Sequence, residues 1–295
     1  MTPRRARWAA AALLAPAFLI LTSSCSDRGR VPTTGPAAAP PVPRRIVSLS
    51  PGTTEILFAL GLGDKVVGVT QQCDYPEEAR RKPKIGDAST SIESVVQARP
   101  DLVVAHTFLN RDAIRSLKAL KLRVLSIDPA SLESIAATVE KVAEACGADA
   151  EGRKIASGMR AALDEMTRAA ARGGPRVRVL FAAQGSPIWA AGPNTFVDEM
   201  IRLCGGANVA AGIGEGSFNL FSDEAAIAAD PDIVLVTDGA AQRHFSKSPG
   251  WRNVSAVRKS RVVLVDPDLY LRPGPRLVEG LRQMSGILDS TRLGQ

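Results

Sequence analysis

Histidine and tyrosine each occur only twice in 295 residues, aromatic side chains make up 4%, and there are four cysteines. The two histidines, His106 and His244, form no His-Glu-x-x-His pair, and the chain has no Gly-x-Ser-x-Gly elbow and no Gly-x-x-x-x-Gly-Lys-Ser/Thr loop. Zinc-peptidase, serine-hydrolase and P-loop chemistry are thereby left without their residues. Gly212-Ile-Gly-Glu-Gly and Gly61-Leu-Gly-Asp are glycine-rich, yet neither follows a strand and opens a helix as a dinucleotide loop must, so both read as turns. The apolar stretch from Trp8 to Leu21 is shorter than the roughly 20 residues that span a bilayer. The formal charge of +7 is scattered, with no basic stripe and no interleaved aromatics, which argues against a nucleic-acid partner. Apart from Cys25, an odd set remains: Cys73, Cys146 and Cys204, without Cys-x-x-Cys spacing. No metal site is indicated, and one disulfide or three buried thiols both stay open.

What is present is 45% hydrophobic and 23% charged sequence of near-zero mean hydropathy, the profile of a globular protein long enough for two lobes. Arg4, Arg5 and Arg7 before the short apolar stretch read as a signal peptide over residues 1–24. Leu21-Thr22-Ser23-Ser24-Cys25 resembles the lipobox of bacterial lipoproteins, with Leu21 one position early, and implies an acylated Cys25 and a membrane anchor. From there to residue 43, Pro, Ala, Ser and Thr dominate without apolar periodicity, as in an extended tether.

Beyond Arg45, apolar runs alternate with helical patterns. Ile46 to Leu49, Val66 to Val69, Leu102 to Ala105 and Val124 to Ile127 read as strands of a first lobe, residues 44–148. Val177 to Ala183, Ile233 to Thr237 and Val262 to Val265, with helices at Phe196 to Leu203 and Pro275 to Leu288, read as a second, residues 173–295. The fold class is α/β: two Rossmann-like lobes with parallel sheets and a ligand cleft between them. Between the lobes, residues 149–172 carry Ile155, Met159, Ala162, Leu163 and Met166 at helical spacing, ending at Gly173-Gly174-Pro175. Such a helix is roughly 36 Å long and resists large hinge motion. An internal repeat ties the lobes together, because Ser91 to Ala105 matches Ser222 to Val236 in pattern, with Glu93 and Glu224 each seven residues before Pro-Asp.

The run Arg45-Ile-Val-Ser-Leu-Ser-Pro-Gly-Thr-Thr-Glu, then Val66-Val-Gly-Val-Thr-Gln-Gln-Cys-Asp-Tyr-Pro, Pro100-Asp-Leu-Val-Val-Ala and Leu203-Cys-Gly-Gly-Ala-Asn resembles the periplasmic cobalamin-binding proteins. These belong to a group, with siderophore- and haem-binding proteins, whose lobes are joined by one helix. The resemblance implies a substrate-binding lipoprotein, a monomer outside the cytoplasmic membrane, delivering cobalamin or a related corrinoid to the permease dimer of an ABC importer. It implies ligand contacts at Gln72, Asp87, His106, Trp189, Phe218, Asp268 and Arg272, no catalytic residues, and no cofactor besides the ligand. Members often carry aromatics where Gln72, Asp87 and His106 stand, so the first lobe is expected to offer polar groups. Cys204 matches a position bridged in some relatives, but Ser285 stands at the partner position, so that bridge is expected to be absent.

Packing alone also accounts for Trp189 and Phe218, and a surface pair for Asp268 and Arg272. Glu93 and Glu224 satisfy helix N-termini as well as they would meet arginines on two permease halves. Four other readings compete with a corrinoid, one of them a structural or signalling lipoprotein. A ferric siderophore wants clustered Arg or Tyr, haem wants an axial Tyr or His, and an enzyme on a metal-chelatase-like two-lobe scaffold fits poorly with an export signal.

Overall fold

A computed structural model of the chain describes residues 41–86, 90–170, 174–214 and 218–294. The segment expected to be a signal peptide, Cys25, Asp87 and most of the expected tether therefore lie outside the described residues. The first lobe runs β1 (Ile46–Ser48), α1 (Pro51–Ala59), β2 (Val66–Val69), α2 (Glu77–Arg80), α3 (Ile92–Gln97), β3 (Leu102–His106), α4 (Arg111–Ala119), β4 (Val124–Ile127) and α5 (Leu132–Cys146). Its four strands pair in the order β2-β1-β3-β4, all parallel. β1, β2 and β3 are short, mostly apolar runs buried on both faces, and β4 is partly buried, so neighbouring residues serve different cores. Ile46 packs toward α1 and α5, and Val47 toward α3 and α4.

Helix α5 starts on a reciprocal cap, with Ser131 and Ser134 each satisfying the other's backbone N–H. It stops at Gly147, whose φ of 68° is the left-handed turn that ends helices. The chain reverses at once into α6 (Asp149–Ala170), 22 residues or about 33 Å long. Met159, Ala162 and Met166 of α6 are buried as the periodicity requires, and Ile155 and Leu163 are partly so.

The second lobe comprises β5 (Val177–Gly185), β6 (Ile188–Ala191), α7 (Phe196–Leu203), β7 (Gly206–Asn208), β8 (Phe218–Phe221), α8 (Asp223–Ala228), β9 (Ile233–Val236), α9 (Gly239–Lys247), α10 (Ser255–Arg258), β10 (Val262–Leu264), α11 (Pro267–Leu271) and α12 (Leu277–Leu293). Its sheet is mixed. β10, β9, β5 and β7 are parallel, while β6 and β8 run antiparallel as a meander on β5. The expectation of two parallel sheets is thus corrected for this lobe. β6 and β8 are four-residue segments with one exposed position each, Trp189 and Leu220, too short to show the period of a strand in the sequence. The last helix begins after Pro275, not at it, and extends to Leu293.

The repeat is reproduced atom by atom. Ser91 and Ser222 cap α3 and α8 by accepting from the backbone N–H of Ser94 and Ala225, at 3.2 and 3.1 Å. Arg99 and Asp230, just before each Pro-Asp, both take a positive φ, 44° and 42°. Asp101 then accepts the backbone N–H of Arg45, and Asp232 that of Arg178, fixing the start of the first strand of each lobe.

One continuous core passes from Ile46 and Leu57 through Ile135, Val139 and Met159 to Phe181, Met200 and Leu281. The lobes are joined by this core as well as by α6. Cys73, Cys146 and Cys204 are free and buried. Burial pushes the Cys146 thiol to about 11 and the Cys204 thiol to about 12, so both remain protonated packing groups. No helix among the described residues is long and apolar enough to cross a membrane.

Candidate functional site

Parallel strands place the loops that follow them at one end of each sheet, and open α/β sheets offer ligands their crevice there. Here the loops of both lobes meet. Glu55, on the helix that follows β1, receives Arg276 on both oxygens, Nε at 2.9 Å and Nη2 at 2.6 Å. Arg272, after β10 and α11, reaches back to the first lobe, its Nη1 donating to Asp74 at 2.5 Å and lying 3.5 Å from Glu55. Its Nη2 donates to Asp268 at 2.8 Å, and Arg276 covers the Tyr75 ring with its guanidinium carbon 3.8 Å from the centroid. The backbones close up as well. A Cβ on Gly52 would stand 2.6 Å from the Pro273 carbonyl oxygen, so α1 can approach this turn only as glycine. Glu55, Phe58, Tyr75, Pro76, Lys82 and Arg276 line a cavity of about 570 Å³ beside the cluster.

The Arg272 hydrogen bond holds the Asp74 carboxyl below the usual carboxylate range. Burial raises Asp268, with Arg272 opposing. Arg276 is raised, chiefly by its hydrogen bonds to Glu55. Among the described residues no group of three or more His, Cys, Asp or Glu side chains is placed to hold a metal ion.

Three aromatic side chains are exposed among the described residues, Tyr75 at 46%, Phe108 at 69% and Trp189 at 38%. Each sits at a carboxyl strand end: Tyr75 after β2, Phe108 after β3, and Trp189 on β6 opposite Gln184 near the end of β5. Leu109 adjoins Phe108, Leu220 pairs across strands with Trp189, and both leucines are exposed. The loop carrying Phe108 is braced by His106, whose Nδ1 accepts the backbone N–H of Phe108 at 3.2 Å and of Leu109 at 3.4 Å. Asn110 completes the brace, accepting from the His106 N–H at 2.8 Å and donating to the Leu49 carbonyl at 3.2 Å. Burial lowers the His106 pKa, with Asp128 opposing, which suits an imidazole used as an acceptor.

Of the residues expected from sequence, Asp268 and Arg272 are brought together, with Arg272 engaged by three carboxylates. Gln72 and Trp189 are exposed. Phe218 is partly buried, edge-on to Phe181 at 6.2 Å. His106 serves its own loop. Glu93 and Glu224 are exposed at the second position of α3 and α8. Sequence reasoning passed over Glu55, Asp74, Tyr75, Phe108 and Arg276. Glu55, Asp74 and Tyr75 stand inside the motifs that carry the resemblance, and Arg276 directly follows Pro273-Gly274-Pro275, so their signal was position beside a strand end.

The chain is 35% identical over 250 residues, 82% of its length and 79% of the other's, to the ABC transporter substrate-binding lipoprotein YvrC of Bacillus subtilis. The periplasmic vitamin B12 binding protein of Vibrio cholerae matches with a TM-score of 0.76 and 27% identity, over 84% of this chain and 98% of that one. The periplasmic haem-binding protein RhuT of Roseiflexus sp. RS-1 matches with a TM-score of 0.77 and 31% identity, over 84% and 99%. The periplasmic binding protein family matches residues 46–269, so the chain belongs to that family and is a binding protein, not an enzyme.

Proposed function

We propose that this protein captures cobalamin or a related corrinoid outside the cytoplasmic membrane and delivers it to the permease dimer of an ABC importer. The observation that carries the reading is the placement of the exposed aromatics. In a chain with few of them, Tyr75, Phe108 and Trp189 all stand at carboxyl strand ends of the two lobes, where planar ligands find apolar walls. Phe108 offers the first lobe an apolar contact that Gln72 and His106 do not. Asp268 and the exposed Gln72 supply hydrogen-bond acceptors and donors for an amide-fringed rim. Likeness over most of the chain to proteins named for vitamin B12 binding supports the same reading. Acylation at Cys25 is supported by the lipobox-like run and by a relative named as a lipoprotein.

A second reading, haem, is favoured by one feature, the half-exposed phenol of Tyr75, since tyrosine can serve as an axial haem ligand. Titration of the purified protein with cyanocobalamin, dicyanocobinamide and haemin separates the two. Corrinoid binding at one site per chain supports the proposal. A haemin spectrum shift that Tyr75→Phe abolishes, with no response to either corrinoid, replaces it.

A further inference from the structure

We infer that the floor of the cleft is a charge filter that accepts uncharged or cationic cargo and turns away anionic chelates. The inference rests on the cleft being the ligand site. Three carboxylates, Glu55, Asp74 and Asp268, face two guanidiniums, Arg272 and Arg276, so neither guanidinium is left unopposed. Their depths are ordered. Side-chain exposure is 2% for Glu55, 15% and 16% for the two arginines, then 27% for Asp268 and 39% for Asp74. Both arginines thus lie above Glu55 but beneath Asp268 and Asp74, whose carboxylates are the most exposed charged groups of the cluster.

Recognition of an anionic chelate calls for a guanidinium or ammonium free to donate. At the guanidiniums of this cluster, haem propionates or a ferric catecholate would have to displace Asp74 or Asp268 from Arg272, and the displaced carboxylate would face the anion. The Lys82 ammonium of the adjoining cavity stands outside these pairs, 5.9 Å from the centre of the Phe58 ring. The deeper Glu55 cannot release Arg276 in exchange, because a carboxylate with 2% of its side chain exposed would lose its hydrogen-bonded partner. Peripheral primary amides, by contrast, donate N–H groups to carboxylate lone pairs and leave the ion pairs standing. Tyr75, with Arg276 stacked on its ring, fixes the side of the cluster.

The test compares three probes on the purified protein: uncharged dicyanocobinamide, haemin with its two propionates, and a cationic ferric hydroxamate. Wild type is expected to bind an uncharged or cationic probe at least tenfold more tightly than haemin, roughly the weight of one partly screened charge. Asp74→Asn and Asp268→Asn should each narrow that preference by about tenfold, with the gained haemin affinity falling as salt is added. Asp74→Glu, which keeps the charge, should retain it. Haemin bound by wild type more tightly than either other probe overturns the filter, as does an unchanged preference in both asparagine variants. Binding of the hydroxamate but of no corrinoid refutes the corrinoid reading and leaves the filter standing. Because the wild-type ranking alone decides the central claim, a variant that fails to fold does not shelter it.

Discussion

The two lobes use one backbone device and surround it differently. In both, a serine-capped helix leads through a positive-φ residue into Pro-Asp, whose aspartate anchors the first strand. Around α3 the surface is open, and Ile92, Phe108, Leu109 and Arg111 line a groove of about 470 Å³. Around α8 it is locked, because Asp223 accepts from Trp251 Nε1 at 2.6 Å and pairs with His244 at 3.1 Å, and Trp251 is buried against Phe245. The strand-end turns differ in the same way. After β3 an imidazole accepts two backbone N–H groups, whereas after β9 the Asp238 carboxylate does. What both lobes keep is what the chain needs to enter its first strand, and what diverges is side-chain chemistry at the cleft and on the helix faces.

The largest effect is expected where the lobes meet. Glu55→Ala leaves Arg276 without its two-pronged partner and Arg272 short of one, and removing one member of a buried ion pair costs about 3–5 kcal/mol. Urea unfolding should show that loss for the chain as a whole, because a single core runs through both lobes. A change below about 1 kcal/mol would mean that the lobes are held by core and helix alone.

Next in size is the lock of the second lobe. Trp251→Phe keeps an aromatic ring against Phe245 but removes the donor to Asp223, for an expected loss of about 1–3 kcal/mol. Phe108→Ser, at an exposed position of the first lobe, should stay within about 0.5 kcal/mol. Equal losses from thermal unfolding of the two variants would erase the contrast between a locked and an open lobe.

The turn after β3 should be sensitive to acid. The His106 pKa is lowered by burial, so its contribution to stability is present above the ordinary value of about 6.5 and is lost as pH falls through the folded value. Protonation takes away the Nδ1 acceptor, so the hydrogen-exchange protection factors of the Phe108 and Leu109 amides should drop as the pH is lowered below the ordinary histidine value. Ala240 and Ala241, bonded to a carboxylate in the second lobe, provide the internal reference. Parallel behaviour of the two turns would show that the imidazole is not the brace.

The parts legible in the sequence are those with a strong local signal. β2 and β4 match their apolar runs to the residue, and Met159, Ala162 and Met166 of α6 are buried as their spacing requires. β6 and β8 were not legible because four residues each are too few to show a period, and because their register depends on β5 rather than on their own pattern. The cluster around Glu55 was out of reach for a different reason. Arg276 lies 221 residues from Glu55, and Arg272 lies 198 from Asp74, so no spacing rule connects them. His106 was visible as a strand-end polar residue, but its role in holding Phe108 depends on a turn that only three dimensions reveal.

The smallest effect on the isolated protein is expected from Glu93 and Glu224, and it tests the comparison at its most symmetric point. Both stand at the second position of a short helix, where the dipole favours a carboxylate by about 0.3–1 kcal/mol at low salt. Both helix N-termini are already capped by serine, and neither glutamate is buried. Glu93→Ala with Glu224→Ala should therefore lower stability by no more than about 1 kcal/mol and leave ligand affinity unchanged. If the two serve instead as paired contacts for arginines on two permease halves, the double variant should slow importer association, weaken its salt dependence and reduce ligand-stimulated ATP hydrolysis in proteoliposomes. Each single variant should then fall between wild type and the double, despite the open groove beside one glutamate and the locked face beside the other. Full transport by the double variant at physiological salt would reduce both residues to helix-end charges. Loss from Glu93 alone would place docking on the first lobe, and the equivalence of the lobes would then stop at the backbone.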